Sequence, residues 1–122
     1  MKKDIFEIIF FELSDHSCPV QDFLDSLDSK MAAKLYGLME ILSAYGNELR
    51  EPYSKPLGDG IFELRAKVSS NITRVLYFFC VGHKIIVTNG FVKNTAKTPQ
   101  REIERAKKYQ DLYYRLTATE RK

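Results

Sequence analysis

The stretch Ile61–Cys80, with the sequence IFELRAKVSSNITRVLYFFC, decides the fold. It predicts two strands, at about 61–68 and 71–80, because branched and aromatic residues flank the polar pair Ser69-Ser70. A two-residue loop at that pair makes the two strands an antiparallel hairpin. Residues 83–92 predict a third strand after another short turn, so the three strands form an antiparallel meander.

The register of this hairpin predicts a charged face of the sheet. With a two-residue loop, Arg65 lies directly opposite Arg74. Glu63 and Lys67 share their face, because side chains alternate along a strand with period two. Two opposed arginines repel, so an acid between them, for which Glu63 is placed, or a bound phosphate is expected. A surface arginine pair that only forms salt bridges is the simpler alternative, and the pattern by itself favours it.

The third strand extends the same face. A two-residue turn at Val81-Gly82 places Asn89 opposite Arg74, and Phe91 and Lys93 follow on that side. We expect the Phe91 ring to be available for stacking on an RNA base. The other face collects the apolar side chains of a predicted core: Phe62, Leu64, Ala66, Val75, Tyr77, Phe79, Ile86 and Val92. Three apolar residues fall on the charged face, where a helix or loop is expected to cover them: Ile72, Leu76 and Phe78.

The N-terminal region predicts one strand and a helical hairpin. Residues 4–13 are rich in Ile and Phe and predict a strand that adds at one edge of the sheet. Pro19 suits the first turn of a helix. A second helix is predicted to begin near Asp28 or Ser29, and Gly46-Asn47 suits its C-terminal end.

The remaining elements complete an α+β fold. Residues 48–60 contain two prolines and two glycines and are expected to be irregular. Thr98 can cap a last helix, with Pro99 in its first position. We therefore expect one domain over residues 1–122, in which an antiparallel sheet carries an N-terminal helical hairpin and a C-terminal helix.

Composition and charge narrow the possible functions. No apolar run approaches the ~18 residues that span a bilayer. Acidic residues at Asp4, Glu7 and Glu12 argue against a secretory signal, so we expect a cytoplasmic protein. Residues 93–122 carry nine basic and four acidic side chains, which suits a polyanion or an acidic partner.

Cysteine and histidine are scarce. The residues Cys18, Cys80, His16 and His83 are too few and too widely spaced for a disulfide framework or a zinc site. We therefore expect free thiols, no metal and no cofactor.

Four segments follow one another in a specific order: KPLGDGIFELR at 55–65, RVLY at 74–77, GFVKNT at 90–95, and Thr98-Pro99 with Glu102, Ile103 and Ala106. This ordered set closely resembles the HigB-type, phage-derived branch of the RelE/ParE toxin superfamily. The resemblance covers about residues 4–112 and implies the RelE-like toxin fold. One departure is that many relatives carry Lys-Lys after the Gly-Phe, whereas here Lys93 is followed by Asn94. Lys97 is the candidate for the second charge.

The resemblance implies the toxin of a type II toxin–antitoxin system that inhibits translation. It implies cleavage of messenger RNA without a metal, typically in the ribosomal A site. It also implies an antitoxin partner, usually encoded alongside and often bearing a helix-turn-helix. The implied catalytic residues are Arg65, Arg74, Lys93 and Lys55, with Glu63 in support. The predicted RNA-binding residues are Lys67, Phe91, Lys97 and Asn89.

A mechanism follows as a hypothesis. The RNA 2′-hydroxyl attacks the adjacent phosphorus, and Arg65 and Arg74 stabilise the extra negative charge. Lys55 or Lys93 is the candidate for proton transfer. An ordinary lysine pKa of ~10.4 makes it a poor base unless neighbouring cations lower that pKa.

Two other functions remain open at this point. ParE-like relatives inhibit DNA gyrase and need no catalytic Arg/Lys set. A non-catalytic nucleic-acid- or protein-binding module would rely on the basic C-terminal helix instead.

Overall fold

The computed structural model describes residues 5–92 and 97–120. Its elements in chain order are β1 (Glu7–Phe10), α1 (Pro19–Ser26), α2 (Ser29–Tyr45), a single 3₁₀ turn (Gly46–Glu48), β2 (Ser54–Gly58), β3 (Ile61–Val68), β4 (Asn71–Cys80), β5 (Lys84–Val92) and α3 (Gln100–Glu120). The predicted α+β class, with an N-terminal helical hairpin and a C-terminal helix, is confirmed. None of the helices in these ranges is long and apolar enough to span a bilayer.

The sheet has five strands in the order β1-β5-β4-β3-β2. Strands β3, β4 and β5 are antiparallel neighbours, as predicted, and β1 lies at one edge, also as predicted. Strand β2, which was not predicted, pairs antiparallel with β3 at the other edge. Because β1 pairs with β5 in parallel, the sheet is mixed rather than wholly antiparallel.

Strand β2 lies inside the segment that was expected to be irregular. It contains Pro56 and Gly58 and has an irregularity between them. Proline lacks a backbone donor and is tolerated in an edge strand, so the breaker residues did not exclude a strand here. A buried hydrogen bond of 2.5 Å between the hydroxyls of Ser54 and Tyr77 anchors the start of β2.

The first hairpin has the predicted register. Val68 pairs with Asn71 across Ser69-Ser70, and Arg65 pairs with Arg74. The positive φ of Ser69, 56°, is the left-handed conformation that such a two-residue turn requires.

The second hairpin departs from the predicted register. Cys80 pairs with Lys84, so the turn has three residues and Asn89 lies opposite Leu76 rather than Arg74. The three-residue turn shifts the near half of β5 by one residue, which moves Ile86 to the other face of the sheet. A bulge between Leu76 and Tyr77 adds a second shift, so the far half of β5 returns to its predicted face.

Helices cover both faces of the sheet. The hairpin α1–α2 packs on one face over a core that includes Leu64, Ala66, Val75, Tyr77, Ile85 and Val87. Helix α3 packs on the opposite face over Ile61, Leu76, Phe78, Ile86 and Phe91. The expectation that a helix covers Leu76 and Phe78 is confirmed. The prediction that Val92 is a core residue is wrong, since it is 51% exposed.

The helix ends follow the predicted signals in α2 but not in α3. The Asp28 side chain accepts a hydrogen bond of 2.9 Å from the backbone N–H of Met31, and Gly46 ends α2 with φ of 55°. In α3 the first helical residue is Gln100, and the Pro99 carbonyl accepts the first backbone hydrogen bonds. Pro99, not Thr98, therefore directly precedes the helix, and the Thr98 hydroxyl bonds to the side chains of Glu63 and Arg74.

We predict that Gly90→Ala destabilises the fold. A methyl group at Gly90 would lie 2.5 and 2.6 Å from ring carbons of Phe23 and 3.2 Å from the carbonyl oxygen of Arg74. Overpacking of this kind lowers the free energy of unfolding by about 1–3 kcal/mol. Urea denaturation measures the change.

Gly37→Ala is the matched control. A methyl group at Gly37, inside α2, meets nothing within 4 Å. Alanine in a helix interior is expected to add about 0.5–1 kcal/mol of stability. Equal denaturation midpoints for the two variants would contradict the close packing of α1 on β5.

Candidate functional site

A buried carboxylate joins the two arginines. Glu63 is 0% exposed, and its Oε2 accepts hydrogen bonds from Arg65 Nε at 3.0 Å and Arg74 Nη1 at 2.7 Å. The prediction that Glu63 lies between the arginines is confirmed. Thr98 completes the cluster, because its hydroxyl donates to Glu63 Oε1 at 2.5 Å and accepts from Arg74 Nη1 at 2.9 Å. We call Glu63, Arg65, Arg74 and Thr98 the arginine cluster.

The two arginines are not equivalent. The Arg74 side chain is 2% exposed, whereas that of Arg65 is 22% exposed. Arg65 Nη1 also lies 3.5 Å from the exposed carboxylate of Glu51. Arg74 is committed to the interior, and its Nε has no hydrogen-bond partner among the residues that the structure describes. Arg65 is therefore the arginine that reaches solvent.

Two lysines flank the arginine cluster on the same face. Lys55 pairs with Glu63 across β2 and β3, and its side chain is exposed. Lys67 follows Arg65 by two residues on β3 and is also exposed. The structure thus brings together three cations that the register predicted for this face, Arg65, Arg74 and Lys67, and adds Lys55, which only the family resemblance had implied. Lys93 lies outside the described residues, and Lys97 is exposed just before α3.

Asn89 and Phe91 hold α3 against the sheet. Asn89 is 1% exposed and its Nδ2 donates to the backbone oxygen and Oε1 of Glu102 at 3.3 and 3.2 Å. Phe91 is 9% exposed and belongs to the core that contains Ala106 and Tyr109. The structure thus places the Phe91 ring inside the core, where it offers little surface to a base.

The described residues contain no group of three histidine, cysteine or acidic side chains that could hold a metal ion. His16 lies 3.8 Å from Glu12 on the surface, and the ring of His83 stacks on Phe6. Neither imidazole is near the arginine cluster in the described fold. Cys18 and Cys80 are free thiols.

Two contacts of the cluster were not predicted from the sequence. Thr98 was interpreted as a helix cap, and Glu51 lay in the segment expected to be irregular. For Thr98, the sequence signal was its position before Pro99, which indicated a helix cap. A threonine hydroxyl can equally well donate to a carboxylate, so that signal did not distinguish the two roles. Nothing in the local pattern marks Glu51.

The fold and the cluster define an α+β protein in which a buried carboxylate joins two arginines on one face of the sheet. The chain belongs to the family described as phage derived protein Gp49-like (DUF891), whose family model matches residues 22–111. This is a toxin-like family related to RelE and HigB. The matched range includes the whole arginine cluster and Lys55. A search of curated proteins finds no match to the chain.

We predict that Glu63→Gln destabilises the protein strongly. The substitution keeps the shape of the side chain but leaves Arg74 buried without a counter-charge. Removal of one partner from a buried ion pair typically costs about 3–5 kcal/mol. Urea denaturation at neutral pH gives the change in the free energy of unfolding.

Glu51→Gln is the control for this prediction. Glu51 also contacts Arg65, but its side chain is 64% exposed. A surface substitution of this kind should change stability by no more than about 0.5 kcal/mol. If the two variants unfolded at the same urea concentration, the ion pairs of buried Glu63 would not stabilise the fold more than the exposed contact of Glu51 does.

Proposed function

We propose that the protein is the toxin of a type II toxin–antitoxin system, of HigB type, which cleaves messenger RNA on the ribosome without a metal. The single observation that carries this proposal is the guanidinium of Arg65, held at the surface by buried Glu63 beside a second arginine. Membership in the Gp49-like family supports the toxin part of the proposal.

The proposed reaction is a transesterification within the RNA. The 2′-oxygen bonds to the adjacent phosphorus and loses its proton, and the bond from phosphorus to the 5′-oxygen breaks as that oxygen gains a proton. The products are a 2′,3′-cyclic phosphate and a 5′-hydroxyl end. Because the RNA supplies its own nucleophile, the protein needs to orient the phosphate, stabilise its added charge and assist proton transfer.

The arginine cluster suits the charge stabilisation. Arg65 keeps its positive charge at any cellular pH and presents donors that match phosphate oxygens. Because Glu63 accepts a hydrogen bond from its Nε, the guanidinium of Arg65 is oriented before RNA binds. Arg74 lies behind it in the interior and adds positive potential while it holds Glu63. Fixed charges of this kind need no reorganisation during the reaction.

Lys55 is the proposed group for proton transfer. It lies directly across the strand pair from Glu63 and is exposed, so it can approach the same phosphate as Arg65. Lys67, which is exposed two residues after Arg65 on β3, is the proposed contact to the RNA backbone. The proposed partner is an antitoxin that neutralises this basic face in the cell.

We predict that Arg65→Ala abolishes growth arrest and message cleavage. The variant should fold, because Glu63 keeps its bonds to Arg74 and Thr98. Arg65→Lys should keep the charge but lose the oriented fork, and so retain only part of the activity. Primer extension on messages after induction measures cleavage as new 5′ ends.

Arg115→Ala is the matched control for charge removal. Arg115 is 73% exposed, and its Nη2 lies 2.9 Å from a carboxylate oxygen of Asp111. It lies near the C-terminal end of α3, whereas Thr98 of the arginine cluster precedes the start of that helix. It should leave cleavage unchanged. Full toxicity of Arg65→Ala would remove the proposed site. Intact messages with a DNA-damage response after induction of the unaltered protein would favour gyrase inhibition instead.

A further inference from the structure

A cleft of about 330 Å³ opens beside the arginine cluster, where β3 extends beyond the start of β2. The first strand pair of β2 joins Ser54 to Leu64. In the described part of the chain, the β3 residues after Arg65 therefore have no strand beside them on that edge. Helix α2 forms the opposite wall. The lining includes Lys34, Tyr53, Arg65, Lys67 and Arg74.

The charged residues that line the cleft are all cations. Lys34 comes from α2, and the other three cations, Arg65, Lys67 and Arg74, come from β3 and β4. None of the lining residues within 5–92 and 97–120 is acidic. Glu63 neutralises part of the charge of the two arginines, and Lys34 and Lys67 add positive charge to the cleft. Because clefts with walls of one charge concentrate counter-ions, this cleft favours an anion. Lys34 was not among the residues that the sequence predicted for the site.

An exposed aromatic ring lies in the same cleft. Tyr53 is 48% exposed, and its backbone oxygen accepts a hydrogen bond of 2.8 Å from the N–H of Arg65. The buried bond between Ser54 and Tyr77 fixes the next residue of the chain. Tyr53 is thus held beside Arg65, with its ring available, whereas the ring of Phe91 is buried.

We propose that this cleft binds the nucleotide of single-stranded RNA that adjoins the phosphate held by Arg65. The base stacks on Tyr53, and Lys34 and Lys67 bind the flanking phosphate. Stacking on an aromatic ring beside a basic groove is how sequence-tolerant proteins hold single strands. A volume near the lower end of the ~300–1,000 Å³ range of ligand sites suits one nucleotide. This inference rests on the proposed function of the arginine cluster.

Titration with a short RNA tests the cleft directly. The probe is a fluorescein-labelled RNA hexanucleotide with 2′-fluoro groups throughout, which has no 2′-hydroxyl nucleophile and is not cleaved. Tyr53→Ala and Lys34→Ala should each weaken binding about tenfold, because each removes one base stack or one phosphate contact. Tyr53→Phe should bind as the unaltered protein does, since it keeps the ring.

Two matched controls separate the cleft from general surface effects. Tyr36→Ala removes a ring that is 42% exposed on α2 but does not line the cleft. Lys108→Ala removes an exposed lysine from α3 that does not line the cleft. Both should bind the probe normally. Lys34→Ala should also reduce the slope of log affinity against log salt by about 0.7, the value for one phosphate contact on a single strand.

NMR chemical shifts of the backbone amides identify where the RNA binds, even when its binding is weak. With the probe at millimolar concentration, shifts are expected around Tyr53, Lys34 and Lys67. Shifts confined to α3, or no shifts at all, would overturn the inference. So would equal affinities of Tyr53→Ala and Tyr36→Ala, or tighter binding of inorganic phosphate alone than of the RNA.

The cleft and the proposed reaction fail in different ways. If the unaltered protein cuts no message but the probe changes the amide chemical shifts of the cleft residues, the cleavage proposal fails and the RNA-binding inference stands. If messages are cut normally by both Tyr53→Ala and Lys34→Ala, the cleft inference fails and the cleavage proposal stands.

Discussion

The carboxylate of Glu63 is the interaction on which the site depends. It is completely buried and accepts hydrogen bonds from Arg65, Arg74 and Thr98. Since a buried charge costs several kcal/mol unless it is paired and hydrogen-bonded, the three donors are a physical requirement of that position. Their bonds tie β3, β4 and the chain before α3 to a single point. The same bonds orient the guanidinium of Arg65 toward the surface.

Helix α3 divides the charged face of the sheet into two parts. Over Leu76 and Phe78 the helix packs closely and makes that part a second core. Near the N-terminal end of the helix, Arg65 and Lys67 reach solvent instead. Arg74 lies at the boundary, which explains why it is buried although its strand partner is not. One strand face can thus supply both a core and a basic surface.

The first hairpin was predictable because local rules decide it. Ser69-Ser70 permits a two-residue turn, and the turn length fixes which residues of the two strands lie opposite each other. Counting residues back from the turn therefore predicts both the Arg65–Arg74 pair and the position of Glu63 beside it. The second hairpin was not predictable in this way. A three-residue turn and the bulge at Leu76 depend on how β5 packs between two helical layers, which no short segment specifies.

The sequence by itself determined the three helices, four of the five strands in the described ranges, the face on which the charges lie and the pairing of the two arginines. These follow from the period of the strands and from one turn, which are local properties. Only the tertiary structure decided that Arg74 and Phe91 are buried, that Thr98 contacts Glu63, and that α2 brings Lys34 beside the free edge of β3. Burial and convergence depend on which distant elements pack together, and residues far apart in the chain carry no local signal of that packing.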